Sequence, residues 1–266
     1  MTFNVLAIGD VMGRAGRSAL EVGLARARSK FQIDFVVVNG ENAAGGFGLT
    51  RKIFDQFIGD LKIDCVTTGN HWMDKKEIYQ FLDHERLVVP ANMYNVDDMT
   101  QGWRLIRSSS GVQVAVVNLI GKIFMKGENR SPYDGAERML ARVPAQVKVK
   151  IIDIHAEATS EKQGIAHSVT GKASIVYGTH SHVPTADERI LKSYTGFVTD
   201  LGMTGPYDSV IGIDADAAVM RMRTGVKRNF EPATDNPWFY ACLFEIDVNS
   251  GACTHVERLR FATEHG

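Results

Sequence analysis

The chain has 266 residues, 44% of them hydrophobic and 23% charged. That is ordinary globular usage at a length that buries a sizeable core, and it excludes disordered, collagen-like and coiled-coil architectures. Thirty Lys and Arg against thirty-one Asp and Glu leave a formal charge of −1, so global charge gives no support to non-specific nucleic-acid binding and leaves only a local patch open.

In chain order, Phe3–Ile8 reads as a strand and Ala15–Lys30 as a helix, with Leu20, Leu24 and Ala27 at helical spacing. Phe35–Val38 is a second strand. Thr50 can cap a helix reaching Leu61, with Ile53, Phe54, Phe57, Ile58 and Leu61 on one face. Val66–Thr68 is a third strand, followed by a helix near Lys75–Leu82. Gln113–Leu119, Val149–Ile154 and Ala173–Tyr177 read as strands, with a helix at Asp134–Arg142. Gly196–Thr199, a helix at Asp214–Arg223, and a hairpin of Phe239–Val248 and His255–Phe261 about Asn249-Ser250-Gly251 complete the chain. Strand content exceeds one doubly wound sheet, so two sheets packed face to face with helices outside fit better. No repeat or linker interrupts the pattern, and one domain over residues 1–266 is expected.

Cys65, Cys242 and Cys253 are too few and too scattered for a disulfide framework, and no CxxC pair exists. Reduced thiols in a cytoplasmic protein are expected. MTFNVLAIGD has neither a basic start nor a long apolar run, so no secretion signal is read there. No apolar run approaches the length of a membrane span.

The informative feature is the group of residues just past each apolar run. The first run ends in Gly9-Asp10, the second in Asn39-Gly40-Glu41-Asn42 and the third in Gly69-Asn70-His71. Two later ones end in His155 and in Gly178-Thr179-His180-Ser181-His182. Ligands bind beyond the carboxyl ends of strands in α/β sheets, and glycine before four of these groups would let the chain turn sharply. Each group alone has an ordinary explanation: a turn, a helix cap or a surface histidine. His155 after a buried strand does not, because an unpaired polar group there is costly. His180 and His182 alternate on what reads as extended chain, so both imidazoles can face one cluster. Five such strand ends together point to a metal site. Asp10, Glu41, Asn42, Asn70, His155, His180 and His182 are candidate ligands. Imidazole and carboxylate without thiolate suit Mn, Fe, Zn or Co. Seven ligands exceed what one ion takes and imply two ions sharing a carboxylate. Two carboxylates against two divalent ions leave a positive centre, which favours phosphoesters over neutral amides.

At these residues the chain resembles the calcineurin-like metallophosphoesterases, whose blocks match Gly9-Asp10, Gly69-Asn70-His71, His155 and Gly178-Thr179-His180-Ser181-His182 in order. The first block lacks its usual histidine, being Asp10-Val11-Met12, and the second has Glu41-Asn42 where the superfamily has Asp. These departures, with the blocks IGDVMGRAGR, VNGENAAGGFGLT, TTGNHWMDKKEI, PAN, DIHAEATSEK, GTHSHVPTADERIL and TDLGMTGPYDSVIG, resemble the bacterial YmdB-like branch. The resemblance implies a four-layer α/β/β/α sandwich with two mixed sheets. It implies a di-metal centre of iron or manganese type hydrolysing 2′,3′-cyclic nucleotides such as 2′,3′-cAMP. One ion would be held by Asp10, Asn42 and His182 and the other by Asn70, His155 and His180, with Glu41 between them. A water activated there would attack phosphorus, and His71 would be the catalytic acid. The partner expected is a small cyclic nucleotide or phosphodiester, with no membrane and no non-specific nucleic acid. Homo-oligomerisation is left open. A broader phosphodiesterase, phosphatase or nuclease, or a non-catalytic regulatory metal protein, are the competing classes.

Other motifs carry less. Ala43–Gly48 is glycine-rich, but no GxxxxGK[ST] phosphate loop occurs, and a flexible connection beside the site is expected. Arg14 and Arg17 read as solvated helix-end charges. Gly202–Tyr207 has turn chemistry and is expected to wall the pocket.

Overall fold

In the computed structural model, which describes residues 1–93, 102–226 and 231–263, two sheets face each other with helices outside both. The strands are β1 Thr2–Ile8, β2 Asp10–Val11, β3 Phe35–Asn39, β4 Cys65–Thr67, β5 Leu87–Val88, β6 Trp103–Arg107 and β7 Gln113–Ile120. They continue as β8 Val149–His155, β9 Ile175–Thr179, β10 Arg189–Leu191, β11 Thr195–Val198, β12 Met203–Pro206, β13 Pro237–Asp247 and β14 Cys253–Ala262. The helices are α1 Gly13–Lys30, α2 Arg51–Asp55, α3 Pro132–Arg142, α4 Thr159–Ser168 and α5 Ala215–Thr224.

The first sheet runs β2-β12-β13-β1-β3-β4-β5, with β14 pairing with β13. The second runs β10-β11-β9-β8-β7-β6. β1, β3, β4 and β5 are parallel, as are β7, β8, β9 and β11, while β13 and β6 run antiparallel to their neighbours. Both sheets are therefore mixed, and the α/β/β/α sandwich is as expected.

Period-two alternation sorts each strand into two cores. Phe3, Val5, Ala7, Phe35, Val37, Val116, Ile151 and Tyr177 meet in the seam between the sheets. Leu6, Ile8, Val36 and Val38 face outward onto Leu20 and Leu24 of α1 and Phe54 of α2. Val117, Leu119, Ile152 and Ile154 face Met139 of α3 and Ile165 of α4. The same parity carries Asn39, Thr67, Asp153, His155 and Thr179 into the seam at the carboxyl ends of their strands. All are fully buried, so the seam changes there from apolar to polar.

Several elements differ from expectation. The helix after Thr50 is capped by its Oγ1, which accepts from Ile53 N at 3.4 Å, but it widens into π-type turns over Gln56–Asp60. The helix near Lys75 is one short 3₁₀ stretch, Lys76–Gln80. α4 and the short strands β2, β5, β6, β10 and β12 carry too little periodicity to be read from sequence. No helix of the described residues is long and apolar enough to cross a membrane.

Candidate metal centre

The carboxyl ends of the parallel strands and the turns that follow them hold all seven expected ligands: Asp10 just past β1, Glu41 and Asn42 past β3, Asn70 past β4, His155 at the end of β8, and His180 and His182 past β9. Glu41, His155 and His180 present ligand atoms that all lie within 4.8 Å of one another. His155, fully buried at the end of β8, is the hub. Its Nε2 lies 2.9 Å from Glu41 Oε1, 3.0 Å from Asn70 Oδ1 and 3.0 Å from His180 Nδ1. One proton at Nε2 can satisfy one of these acceptors, whereas a cation among them satisfies all.

The outer nitrogens of the imidazoles explain why the inner ones face inward. Thr179 Oγ1 donates to Asp153 Oδ1 at 2.8 Å, so its oxygen accepts from His155 Nδ1 at 2.9 Å. His180 Nε2 donates to Glu157 Oε2 at 3.2 Å. His182 Nδ1 donates to the Ile211 carbonyl at 2.7 Å and turns Nε2 onto Asn42 Oδ1 at 3.3 Å. Asn42 Nδ2 is already committed to the Gly46 carbonyl at 2.9 Å, so two acceptors face each other there as well. An outer hydrogen bond that fixes the tautomer of a ligating histidine is how metal sites are commonly held.

Charge in the cluster obeys the same demand. Burial opposes ionisation of both Glu41 and His155, but their contact wins. Glu41 is held down to about 2 and His155 is raised to about 9. Burial and the neighbouring His155 push His180 down to about 3, which keeps its Nδ1 lone pair free. Burial raises Asp10, with His182 and His155 opposing. Asp10 Oδ2 accepts from His180 N at 3.1 Å, while its Oδ1 is buried without a hydrogen-bond partner. An orphaned carboxylate oxygen beside inward-facing imidazole lone pairs, with no thiolate present, fits hard or borderline divalent ions.

His180 and His182 do not reach the cluster by strand alternation. Both lie at positive φ, +96° and +64°, and they turn to different partners, His155 and Asn42. Ser181 between them is pinned, its N and Oγ donating to Asp200 Oδ2 at 3.2 and 2.8 Å. Asp200 is in turn paired at 2.5 Å with Lys162 Nζ from α4, both side chains essentially unexposed. The glycines before the ligands do not supply sharp turns either, since Gly9, Gly40, Gly69 and Gly178 all avoid positive φ. They supply room. A Cβ on Gly69 would collide with the His155 ring and the Glu41 carboxylate, and one on Gly178 with the Thr199 carbonyl and the Lys162 side chain.

His71 lies at the rim, partly exposed. Its backbone N donates to Glu41 Oε2 at 3.0 Å, and its Nδ1 donates to Asp74 Oδ2 at 2.8 Å, which leaves Nε2 facing outward from that pair. Phe47 packs edge-on against the ring at 5.0 Å. The loop carrying Phe47 is fixed by Arg17, whose guanidinium donates to the Ala43 carbonyl. Arg17 is therefore a strut and not a solvated charge. Gly202–Tyr207 contains β12, which pairs with β2 at Met203↔Asp10 and so sets the position of Asp10.

Sequence reasoning missed Asp74, Glu157, Thr179, Asp153 and the Lys162–Asp200 pair. Asp74 lies three residues from His71 and was legible as an acceptor for it, whereas Glu157 lies two residues from His155 but accepts from His180. Thr179 and Asp153 meet the site through the β8–β9 register, and Lys162 and Asp200 through the packing of α4 against the turn after β11.

Lys162→Met is expected to destabilise the metal-free protein by about 3–5 kcal/mol, because it leaves the Asp200 carboxylate buried without its counter-ion. Thermal unfolding checks this. A melting temperature within about 2 °C of wild type would show that the pair carries no such load.

A model of the YmdB-like protein family matches residues 6–259. The chain is 37% identical over 262 residues to a 2′,3′-cyclic-nucleotide 2′-phosphodiesterase of Bacillus subtilis, covering 98% of both chains. A crystal structure of a hypothetical protein from Thermus thermophilus superposes with a TM-score of 0.89 at 34% identity, over 98% of this chain and 99% of the other. That of a novel phosphatase from Mycoplasma pneumoniae gives a TM-score of 0.91 at 29% identity, over 98% and 94%.

Proposed function

This chain belongs to the YmdB-like protein family, and on that footing we propose that it is a two-metal phosphodiesterase acting on 2′,3′-cyclic nucleotides such as 2′,3′-cAMP. The observation that carries the reading is the set of three imidazoles whose outer nitrogens are each tied to an acceptor while their inner nitrogens converge, His155 on Glu41, Asn70 and His180, and His182 on Asn42. The named activity of the Bacillus relative supports the substrate class.

Asp10, Asn42 and His182 would hold one ion and Asn70, His155 and His180 the other, with Glu41 shared. The all-oxygen-and-nitrogen donor set suits Mn, Fe, Zn or Co, and iron or manganese is what the family resemblance implies. When bound, the ions would neutralise phosphoryl oxygens and lower the pKa of an attacking water. Asp10 and Glu41 are the buried carboxylates of the set, so two divalent ions leave a positive site that draws an anionic phosphodiester.

His71 is the proton donor in this reading. Asp74 fixes its Nδ1, and Nε2 delivers the proton to the leaving ribose oxygen. The whole chain serves as one catalytic domain.

The test is elemental analysis of anaerobically purified protein together with a substrate panel. About two transition-metal ions per chain and preferential turnover of 2′,3′-cAMP over 3′,5′-cAMP, phosphomonoesters and structured RNA are expected. Full activity with one ion or none would sink the two-metal reading. A preference for monoesters would make it a phosphatase.

A further inference from the structure

β7 ends at Ile120, opposite His155, and the next amide, Gly121 N, donates to the His155 carbonyl at 2.9 Å. The loop from Gly121 to Arg130 therefore leaves the sheet at the edge that carries the centre. Its base is firmly held. Glu161, only 3% exposed, accepts from Lys122 N at 3.0 Å and Ile123 N at 3.2 Å. Asn129 Nδ2 donates to the Gly121 carbonyl at 3.1 Å, and Arg130 N donates to the Asn92 carbonyl at 2.8 Å.

What this base presents is unusual. Phe124 is 85% exposed and sits at φ +62°, a left-handed conformation that disfavours any residue with a Cβ. The conformation costs roughly 1–2 kcal/mol, and no burial of the ring offsets it. Lys122 and Lys126 flank it, both exposed and outside any ion pair among the described residues. Gly121–Arg130 contains three cations against Glu128, in a chain whose net charge is −1. Strained backbone of this kind clusters at active sites and ligand clamps, and here it displays an aromatic ring between two cations.

We propose that this loop is a stacking platform for single-stranded RNA, and that the centre acts on RNA 3′ ends carrying a 2′,3′-cyclic phosphate. The inference rests on the phosphodiesterase reading above and narrows its substrate. Three residues of chain let Phe124 lie up to roughly 10 Å from Gly121, within reach of the base of a nucleotide whose phosphate is at the centre. A free cyclic mononucleotide has a single phosphate, which the centre itself takes, and leaves nothing for Lys122 and Lys126. An RNA end supplies further phosphates to them. Base–aromatic stacking is sequence-tolerant, so a range of RNA ends would be accepted.

The experiment measures binding of a labelled single-stranded oligoribonucleotide by fluorescence anisotropy across salt concentrations. It compares wild type, Phe124→Ala and the double variant Lys122→Ala, Lys126→Ala. Phe124→Ala should weaken binding by roughly 5- to 100-fold, the contribution of one stacked base. The double variant should flatten the log–log salt dependence by about one unit or slightly more. Hydrolysis of 1-O-methylribose 2′,3′-cyclic phosphate, which has no base and no second phosphate, should be unchanged in both. Equal RNA affinity in all three proteins overturns the proposal whatever the catalytic outcome. So does a loss confined to anionic vesicle binding or to self-association. RNA binding that depends on the loop in a protein that hydrolyses no cyclic phosphate would overturn the substrate assignment and the phosphodiesterase reading while leaving the platform.

Discussion

His155→Ala is expected to lose bound metal and turnover together, with activity on 2′,3′-cAMP falling by about four orders of magnitude or more. The imidazole Nε2 is the point on which Glu41, Asn70 and His180 converge, at 2.9, 3.0 and 3.0 Å. No neighbouring side chain replaces it, because the β7–β8–β9 register fixes His155 between Ile120 and Thr179. The fold should survive, since the seam below the site is filled by Val149, Ile151 and Tyr177 independently of the ring. Metal content and circular dichroism separate the two effects. Retention of two ions with normal turnover would show that the ligand is misassigned.

The same residue sets a pH dependence for loading. In the metal-free protein Glu41 raises His155 to about 9, so Nε2 carries a proton at neutral pH that a cation must displace. Below about 9, apparent metal affinity should therefore rise with pH, by up to tenfold per unit for the one proton released at this residue. In His155→Ala the remaining affinity should depend less on pH. An affinity independent of pH between about 6 and 8 in the wild type would contradict a protonated hub.

Much of this centre was legible in the sequence because one physical rule generates it. Apolar runs such as Phe35–Val38 and Ile151–Ile154 announce buried parallel strands, and the polar residue after each lies at the shared carboxyl edge. That shared edge places Glu41, His155 and His180 near one another. The geometry of His180 and His182 was not legible, because strand alternation stops at Thr179 and both histidines take left-handed φ values under the hold of Asp200. Nor were the supports. Asn39 and Thr67 join Asp153 across the seam at 3.3 and 2.5 Å and Thr179 joins it from the neighbouring strand at 2.8 Å, and sequence separations of up to 114 residues conceal the contacts. Burial raises Asp153 to about 7, and only the fold brings those hydroxyls to it.

His71→Ala separates chemistry from binding. Both proposed ions should remain, because this residue joins the proposed ligand Glu41 through its backbone N–H, which donates to Glu41 Oε2 at 3.0 Å and which the substitution leaves in place. The fold should remain as well, since the side chain is 30% exposed at the rim. Turnover of a cyclic phosphodiester should fall by roughly 10²–10⁴, the usual contribution of a general acid. The loss should shrink for a nitrophenyl phosphodiester, whose leaving phenolate departs without a proton, whereas a ribose alkoxide does not. Asp74→Asn should give a smaller loss with the same leaving-group dependence, because Asp74 acts only by holding Nδ1, at 2.8 Å, and so by aiming Nε2. Steady-state rates of the three proteins on both substrates test the assignment. An equal loss on the two substrates in His71→Ala would show that the imidazole positions the phosphate and is not the proton donor.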